Sequence, residues 1–420
     1  MSERVESLNK AGSAGHVPPR VAPPRAGVWN EAFEPDGTAR APWVPLVAWM
    51  EEAGHAGLDE AARILARARA ESGIAFGDQT GDAGEPDPVP VVLSAGEWAE
   101  IEAAVAQRAT LAEAVLADLY GPARLVAEGH IPAGLAWGSG GFAAHCAGWE
   151  SPPPRRLMVY EADIARTAEG SWVVLSDRVD TPLGDGWLIA NRIAASEAMA
   201  GPFIDLGVRR LAGHYIRVQE LLDSLTGWEG RLTLMTGGEG DPRFFSHAYL
   251  ARYLSANLVE PADVTVRDSA AFVKTLDGLK KIDVMLRGVP DGSVDALHRP
   301  QEACAGAPAL SVAARSGSLV IANAIGASLV AHRALAPVAH RLAPHLLGEA
   351  LKMPDAECLW LGDRAARERV LAAPHGWRIE ALTAGDALSA GADAAEAADP
   401  AAIARHAERL VAVRAPALGE

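Results

Sequence analysis

Arg231-Leu-Thr-Leu-Met235, then Thr236-Gly-Gly-Glu-Gly240, then the run Phe245 to Leu254, reads as a short buried strand, a glycine loop and a helix. The pattern continues downstream. Leu258-Val259, Val264-Thr-Val-Arg267, Phe272-Val-Lys-Thr-Leu276, Asp283 to Leu286 and Ser318 to Ala322 are further short strands by composition. Strands alternating with helices predict an α/β fold on a mainly parallel sheet. Ligands of such sheets sit where strand ends meet loops. That draws attention to the loop Thr236-Gly237-Gly238 and to Asn323, which follows the last strand. The loop amides can hold an anion at the start of the next helix. No Gly-Lys-Ser/Thr follows, and the spacing is not Gly-x-Gly-x-x-Gly, so an ordinary turn is the plainer reading.

Upstream, Arg156 to Ala162 and Ser171 to Ser176 read as two strands joined at Glu169-Gly170. A polar turn rich in glycine and proline, Asp177 to Gly186, leads to an extended or early helical piece, Trp187 to Arg192. This stretch is the most chemically loaded of the chain. Asp177 and Asn191 offer hard oxygen ligands suited to magnesium, and Arg178 and Arg192 can neutralise phosphate or clamp a carboxylate. A solvated hairpin with an Asp turn is the competing reading. Val208 to Leu225 predicts an amphipathic helix.

The region from Trp29 to Trp149 is mostly helical in pattern. Leu58 to Ala70 has helical spacing, and Ser94-Ala-Gly-Glu97 is a capping box opening a helix toward Tyr120. Met1 to Gly27 reads as a disordered tail, and Ser151-Pro-Pro-Pro154 marks a boundary. Thr383 to Pro400 reads as loose, with Asp399-Pro400 starting a final helix from about Ala401 to Val413.

Composition limits the function. Across 420 residues the formal net charge is -16, against nucleic-acid binding and against an anionic membrane surface. Cys146, Cys304 and Cys358 are odd in number and far apart, as expected of buried thiols in a reducing, cytoplasmic setting. The apolar run Leu319 to Ala331 is too short and too interrupted to span a bilayer. Lys274 and Arg287 flank a strand pair and could reach a ligand, although surface positions are more common for such residues. His332, His340 and His345 share a helical region but not one face, which argues against a metal site among them. There is no Gly-x-Ser-x-Gly elbow.

Read in order, several segments resemble the circularly permuted ATP-grasp family, related to glutathionylspermidine synthases, over about Trp29 to Asp363. They are Asp118-Leu-Tyr-Gly-Pro122 with Glu128-Gly-His-Ile-Pro132, Tyr160-Glu-Ala-Asp163, Trp172-Val-Val-Leu-Ser-Asp-Arg178 and Asn191-Arg192. Phe245-Ser-His-Ala-Tyr249, Lys274-Thr-Leu-Asp-Gly-Leu279, Asp283 to Arg287, Ala322-Asn-Ala-Ile-Gly326 and Trp360-Leu-Gly-Asp363 complete the series. The resemblance implies an ATP- and Mg2+-dependent ligase that joins a small or peptide-like carboxylate to an amine through an acyl phosphate. It implies Asp177 and Asn191 as metal ligands, with Arg178, Arg192, Lys274 and Arg287 in the catalytic set. Thr236, Gly237, Gly238 and Asn323 fall on the cofactor side. The expected organisation is a tail (1–28), a helical N-terminal region (29–150) and a permuted partial ATP-grasp segment with the magnesium end (151–228). A Rossmann-like substrate-side domain (229–365) and a short Ala-rich remnant (366–420) follow.

This sequence departs from the family pattern at several positions. Ala190 stands where the family has an acid before the asparagine, the loop is Thr236-Gly-Gly rather than Thr-Pro-Gly, and Ser246-His247 replaces a Glu-His pair. No lysine follows Lys352, where the family holds nucleotide phosphates with lysines. Two expectations result. One is a ligase whose nucleotide half is either missing from this sequence or supplied by a partner polypeptide. The other is a catalytically degenerate homologue that binds a ligand or a partner.

Overall fold

The computed structural model describes residues 28–72, 87–138, 141–149, 155–226, 231–297, 306–382, 403, 406–414 and 416. The tail, the proline run at 151–154 and the loose stretch at 383–400 lie outside the described residues. The N-terminal region is helical. Helix α1 (Val44–Ser72) bends at Gly54, whose φ is 60°. Helix α2 (Ala95–Leu119) starts at the Ser94/Glu97 capping box, with both reciprocal hydrogen bonds formed. Such a cap contributes about 1 kcal/mol. Short helices α3 (Arg124–Ala127) and α4 (Ala133–Trp137) follow.

Strands β1 (Glu161–Arg166) and β2 (Trp172–Arg178) form an antiparallel ribbon. The first strand begins later than its composition suggests. The amides of Arg156 and Leu157 donate to the Glu113 carboxylate, and those of Met158 and Val159 donate to Asn323 Oδ1. Side chains therefore take the donors that a strand neighbour would need, and Arg156–Tyr160 runs as irregular backbone. Residues Trp187 to Arg192 fall inside helix α5 (Asp185–Ala198), so the helical alternative holds and the extended one does not. Helices α6 (Ala200–Asp205) and α7 (Ala212–Thr226) come next.

Strand β3 (Leu232–Met235), helix α8 (Phe244–Tyr253) and strand β4 (Asn257–Val259) form the strand–loop–helix–strand unit read from Arg231 onward. Strands β5 (Val264–Arg267), β6 (Ala270–Thr275) and β7 (Gly278–Lys281) leave the parallel series and pair antiparallel in a small sheet of their own. The reason is local. Asp268 and Ser269 both have positive φ (47° and 59°), and this two-residue turn folds β6 straight back on β5. Strand β8 (Val284–Arg287), helix α9 (Leu310–Arg315) and strand β9 (Val320–Ala322) return to the main sheet. Its order is β4-β3-β8-β9 and every pairing is parallel. The fold is therefore α/β, as the strand–helix alternation implies.

Helix α10 (His332–Leu347) packs on α2 and β2 and closes the largest apolar core. On the other side, Leu183, Ile189, Tyr215, Leu222 and Leu250 pack against Leu234, Val284 and Leu286 of the sheet. Strand β10 (Cys358–Trp360), helix α11 (Arg364–Ala372) and strands β11 (Arg378–Ala381) and β12 (Leu410–Val413) complete the chain. The final helix expected to reach Val413 gives way at its end to β12, which lies between β10 and β11. Leu410-Val-Ala-Val413 has a strand composition, and its backbone pairs on both sides. Among the described residues no helix is long and apolar enough to cross a membrane.

Candidate functional site

The carboxyl ends of β3, β8 and β9 bring Thr236, Gly237, Gly238, Arg287 and Asn323 to one end of the parallel sheet. Thr236 ends β3. Its amide donates to Val259 O at 2.9 Å, which joins the loop to β4. Its hydroxyl lies 3.0 Å from His247 Nδ1 on α8, and both residues are fully buried. Burial, assisted by the positive charge of Arg243, lowers the imidazole pKa to about 4, so His247 is neutral at neutral pH. The other ring nitrogen, Nε2, is buried with no hydrogen-bond partner.

Glycine is required around this imidazole. A Cβ on Gly288 would lie 2.5 Å from Met235 O and 2.8 Å from His247 Cε1. Gly238 has φ of 88°, and a Cβ there would meet the Glu260 carboxylate at 3.0 Å. Arg243, just before α8, donates Nη1 to Thr181 Oγ1 at 2.5 Å and pairs with Asp241 at 2.7 Å.

Arg287 ends β8 with no exposed surface. Its Nη1 donates to Asp180 Oδ1 at 2.7 Å and to Val289 O at 2.9 Å, and its Nε donates to Asn323 O at 3.1 Å. Asp291 Oδ1 lies 3.1 Å from Nη2. The Asp291 carboxylate also accepts from the amides of Gly326 and Ser328, both at 3.0 Å. One guanidinium thus faces two carboxylates. Burial, and then the Asp291 charge, push the Asp180 pKa upward. Asn323 uses its whole amide: Oδ1 accepts from Met158 and Val159, and Nδ2 donates to Val159 O and Val179 O. Arg287 and Asn323 therefore weld the segments before β1 and after β2 to the sheet ends. Both act by positioning: the whole Asn323 amide is engaged, and the Arg287 guanidinium is held between Asp180 and Asp291.

The other residues singled out by sequence lie elsewhere. Lys274 is exposed on β6, in the separate antiparallel sheet. Arg178 is exposed and pairs with Asp163 at 2.8 Å. Asn191 and Arg192 sit on α5, where Arg192 Nη1 donates to Arg209 O at 3.1 Å and its guanidinium lies over the Phe203 ring.

Asp177 points inward. Its Oδ1 accepts from Arg108 Nε at 2.5 Å and its Oδ2 from Arg108 Nη2 at 2.8 Å, and the Tyr160 hydroxyl also donates to Oδ1. Arg108 is 2% exposed and bonds Asp355 as well. Burial pushes the Asp355 pKa up to about 6, against the pull of Arg108. Magnesium needs carboxylate oxygens with free lone pairs at about 2.0–2.1 Å. Here a guanidinium already holds both oxygens in a bidentate pair, so Asp177 with Asn191 does not fit the ion.

Sequence reading missed Arg108, Asp180 and Asp291. Arg108 carries no local signal, because an arginine in a helical pattern reads as surface charge. Asp291 had one: Val289-Pro-Asp-Gly292 is a turn sequence directly after a strand.

This chain is similar to proteins of several bacteria. An uncharacterized protein of Mycobacterium tuberculosis, Rv2567, is 28% identical over 382 residues, covering 87% of this chain and 43% of its own length. ML0605 of Mycobacterium leprae is 28% identical over 376 residues, covering 88% of this chain and 67% of its own. The cyanobacterial protein sll0335 of Synechocystis is 26% identical over 307 residues, covering 71% and 64%. This chain thus spans less than half the length of the first of these relatives. Among solved structures, a glutathione synthetase-like effector (GSS30) of Globodera pallida in its apo form superposes with a TM-score of 0.50 at 11% identity. The superposition covers 86% of this chain and 81% of the effector, a likeness of fold. Residues 90–416 match the circularly permuted ATP-grasp type 2 pattern, most of the chain, and the protein belongs to that family.

Proposed function

We propose that this chain binds a small or peptide-like carboxylate at the carboxyl ends of β3, β8 and β9, as the substrate side of an ATP-dependent carboxylate–amine ligase. The observation that carries this reading is His247. It is a buried, neutral imidazole with Nδ1 fixed by Thr236 and Nε2 without a partner, beside glycines that admit no side chain. Buried polar atoms are normally paired. An unpaired one at the ligand-binding end of a parallel sheet suits a hydrogen bond to an incoming polar group. Activation of the carboxylate by ATP and Mg2+, through an acyl phosphate, is the reaction that family membership supports. The surroundings of Asp177 do not supply its metal centre, so a partner polypeptide would contribute the nucleotide-holding half. Cys146 is buried, with its thiol pushed up to about 12 by burial, in keeping with an inert thiol in the cytoplasm.

A second reading is a non-catalytic homologue that binds the carboxylate or a partner without ligation. The capture of Asp177 by Arg108 favours it. Calorimetry of the whole chain with Mg·ATP, with a glutathione-like peptide, and with both, separates the readings. Peptide binding that weakens in His247→Asn supports the carboxylate site. ADP release that requires both a carboxylate and an amine supports ligation by this chain alone. Peptide binding with no nucleotide binding leaves the partner-supplied half or the binding protein. Absence of peptide binding overturns the proposal.

A further inference from the structure

Two histidines and a glutamate converge far from the sheet ends. Glu128 and His130 lie on the loop after α3, and His345 lies on the last turn of α10. One ligand atom from each falls within 4.8 Å of the other two. His130 Nε2 is 3.5 Å from Glu128 Oε2, and the His130 and His345 ring centroids are 4.0 Å apart.

The scaffold beneath the trio is firm. Gly129 has φ of 79°, which turns the loop so that Glu128 and His130 flank it on either side. The Ile131 amide donates to Leu125 O at 2.9 Å, and both Leu125 and Ile131 are buried. On the opposite side α10 is anchored by buried Leu342 and Ala343, and Gly348, with φ of 73°, ends the helix. The three side chains themselves are exposed or half-exposed. Burial in the core therefore does not account for their convergence, and an exposed His–Glu pair adds little stability.

We propose that Glu128, His130 and His345 form a site for a divalent transition metal of the zinc type. Two imidazoles and one carboxylate are a borderline-soft donor set, which suits Zn2+ and its neighbours and not Mg2+. Around a tetrahedral zinc with ligands at about 2.0–2.1 Å, donor atoms lie about 3.3 Å apart. The Glu128–His130 pair is already near that spacing at 3.5 Å. The widest separation, at most 4.8 Å, closes with a rotamer adjustment of exposed side chains. Three protein ligands leave a fourth position for water or an exogenous anion. The ion would staple the loop after α3 to the end of α10. The site shares no residue with the sheet-end site, so it stands or falls independently of the carboxylate-binding reading.

The test is calorimetry of the full chain with Zn2+ alone at neutral pH, with Co2+ absorption as a report on imidazole coordination. The expected result is one tight equivalent. His130→Ala and His345→Ala each weaken it by at least about tenfold, and the double variant loses it along with the Co2+ signature. The ligand side chains are exposed or half-exposed, so circular dichroism of the variants should match the parent. The chain has 12 histidines, so His340→Ala serves as the control that keeps full affinity. No tight equivalent, or one that survives in the double variant, overturns the proposal.

Discussion

His247 makes the stability of this protein sensitive to mild acid, by an amount that can be worked out. The imidazole pKa falls from 6.5 to about 4 on folding, first because burial disfavours the cation and then because Arg243 is near. A base whose pKa is lowered by folding contributes stability that is intact above pH 6.5. That stability erodes as pH falls toward 4, because the unfolded chain takes up the proton and the folded chain resists it. Between pH 7 and pH 5 the loss is about 2 kcal/mol from this group alone. Urea unfolding across that interval measures it. His247→Asn keeps a polar atom near Thr236 Oγ1 but cannot titrate. The smaller side chain lowers stability at every pH, and that offset does not enter the slope. The expected outcome is that the wild-type midpoint moves down in acid by about 2 kcal/mol more than the variant midpoint. Parallel pH profiles for the two proteins would refute the assignment of a buried neutral imidazole.

Two substitutions probe the buried contacts. Arg108→Met leaves Asp177 and Asp355 buried without their shared cation and should cost about 3–5 kcal/mol; the added change Asp177→Asn should recover part of that loss in denaturant titrations. Gly186→Ala places a Cβ 2.2 Å from Ser246 O, where α5 crosses α8. The helix propensity gained, about 0.5–1 kcal/mol, is outweighed by a displacement of α5 costing about 1–3 kcal/mol, so the melting temperature should fall.

The parallel sheet was legible because each of its strands is a short apolar run that stops at a polar or glycine residue. Thr236, Arg287 and Asn323 mark three of those stops, and that is why they meet. The capping box at Ser94 was legible for a similar reason: its two partners are three residues apart and need nothing else. The fate of Asp177 was not legible. Its partner lies 69 residues upstream, and Asp355 is farther still along the chain. Spacing recorded that a carboxylate follows a strand but not that a guanidinium meets it. The same limit hid the meeting of His130 with His345, because the helical spacing of His332, His340 and His345 tests only histidines on one element. Strand β12 was misread for a different reason. Asp399-Pro400 is a sound helix start, yet Leu410–Val413 finds two strand neighbours that lie far earlier in the chain.

That last strand has a consequence for biosynthesis. β12 is the middle of its sheet, and among the described residues β10 and β11 are joined only through it. Until Leu410–Val413 has left the ribosome, two earlier strands each show an open edge with unpaired amides and carbonyls, a template for pairing with other chains. Closure of this sheet waits until synthesis has passed Val413. During that interval the open edges leave the nascent protein prone to aggregation, the hazard that chaperones counter.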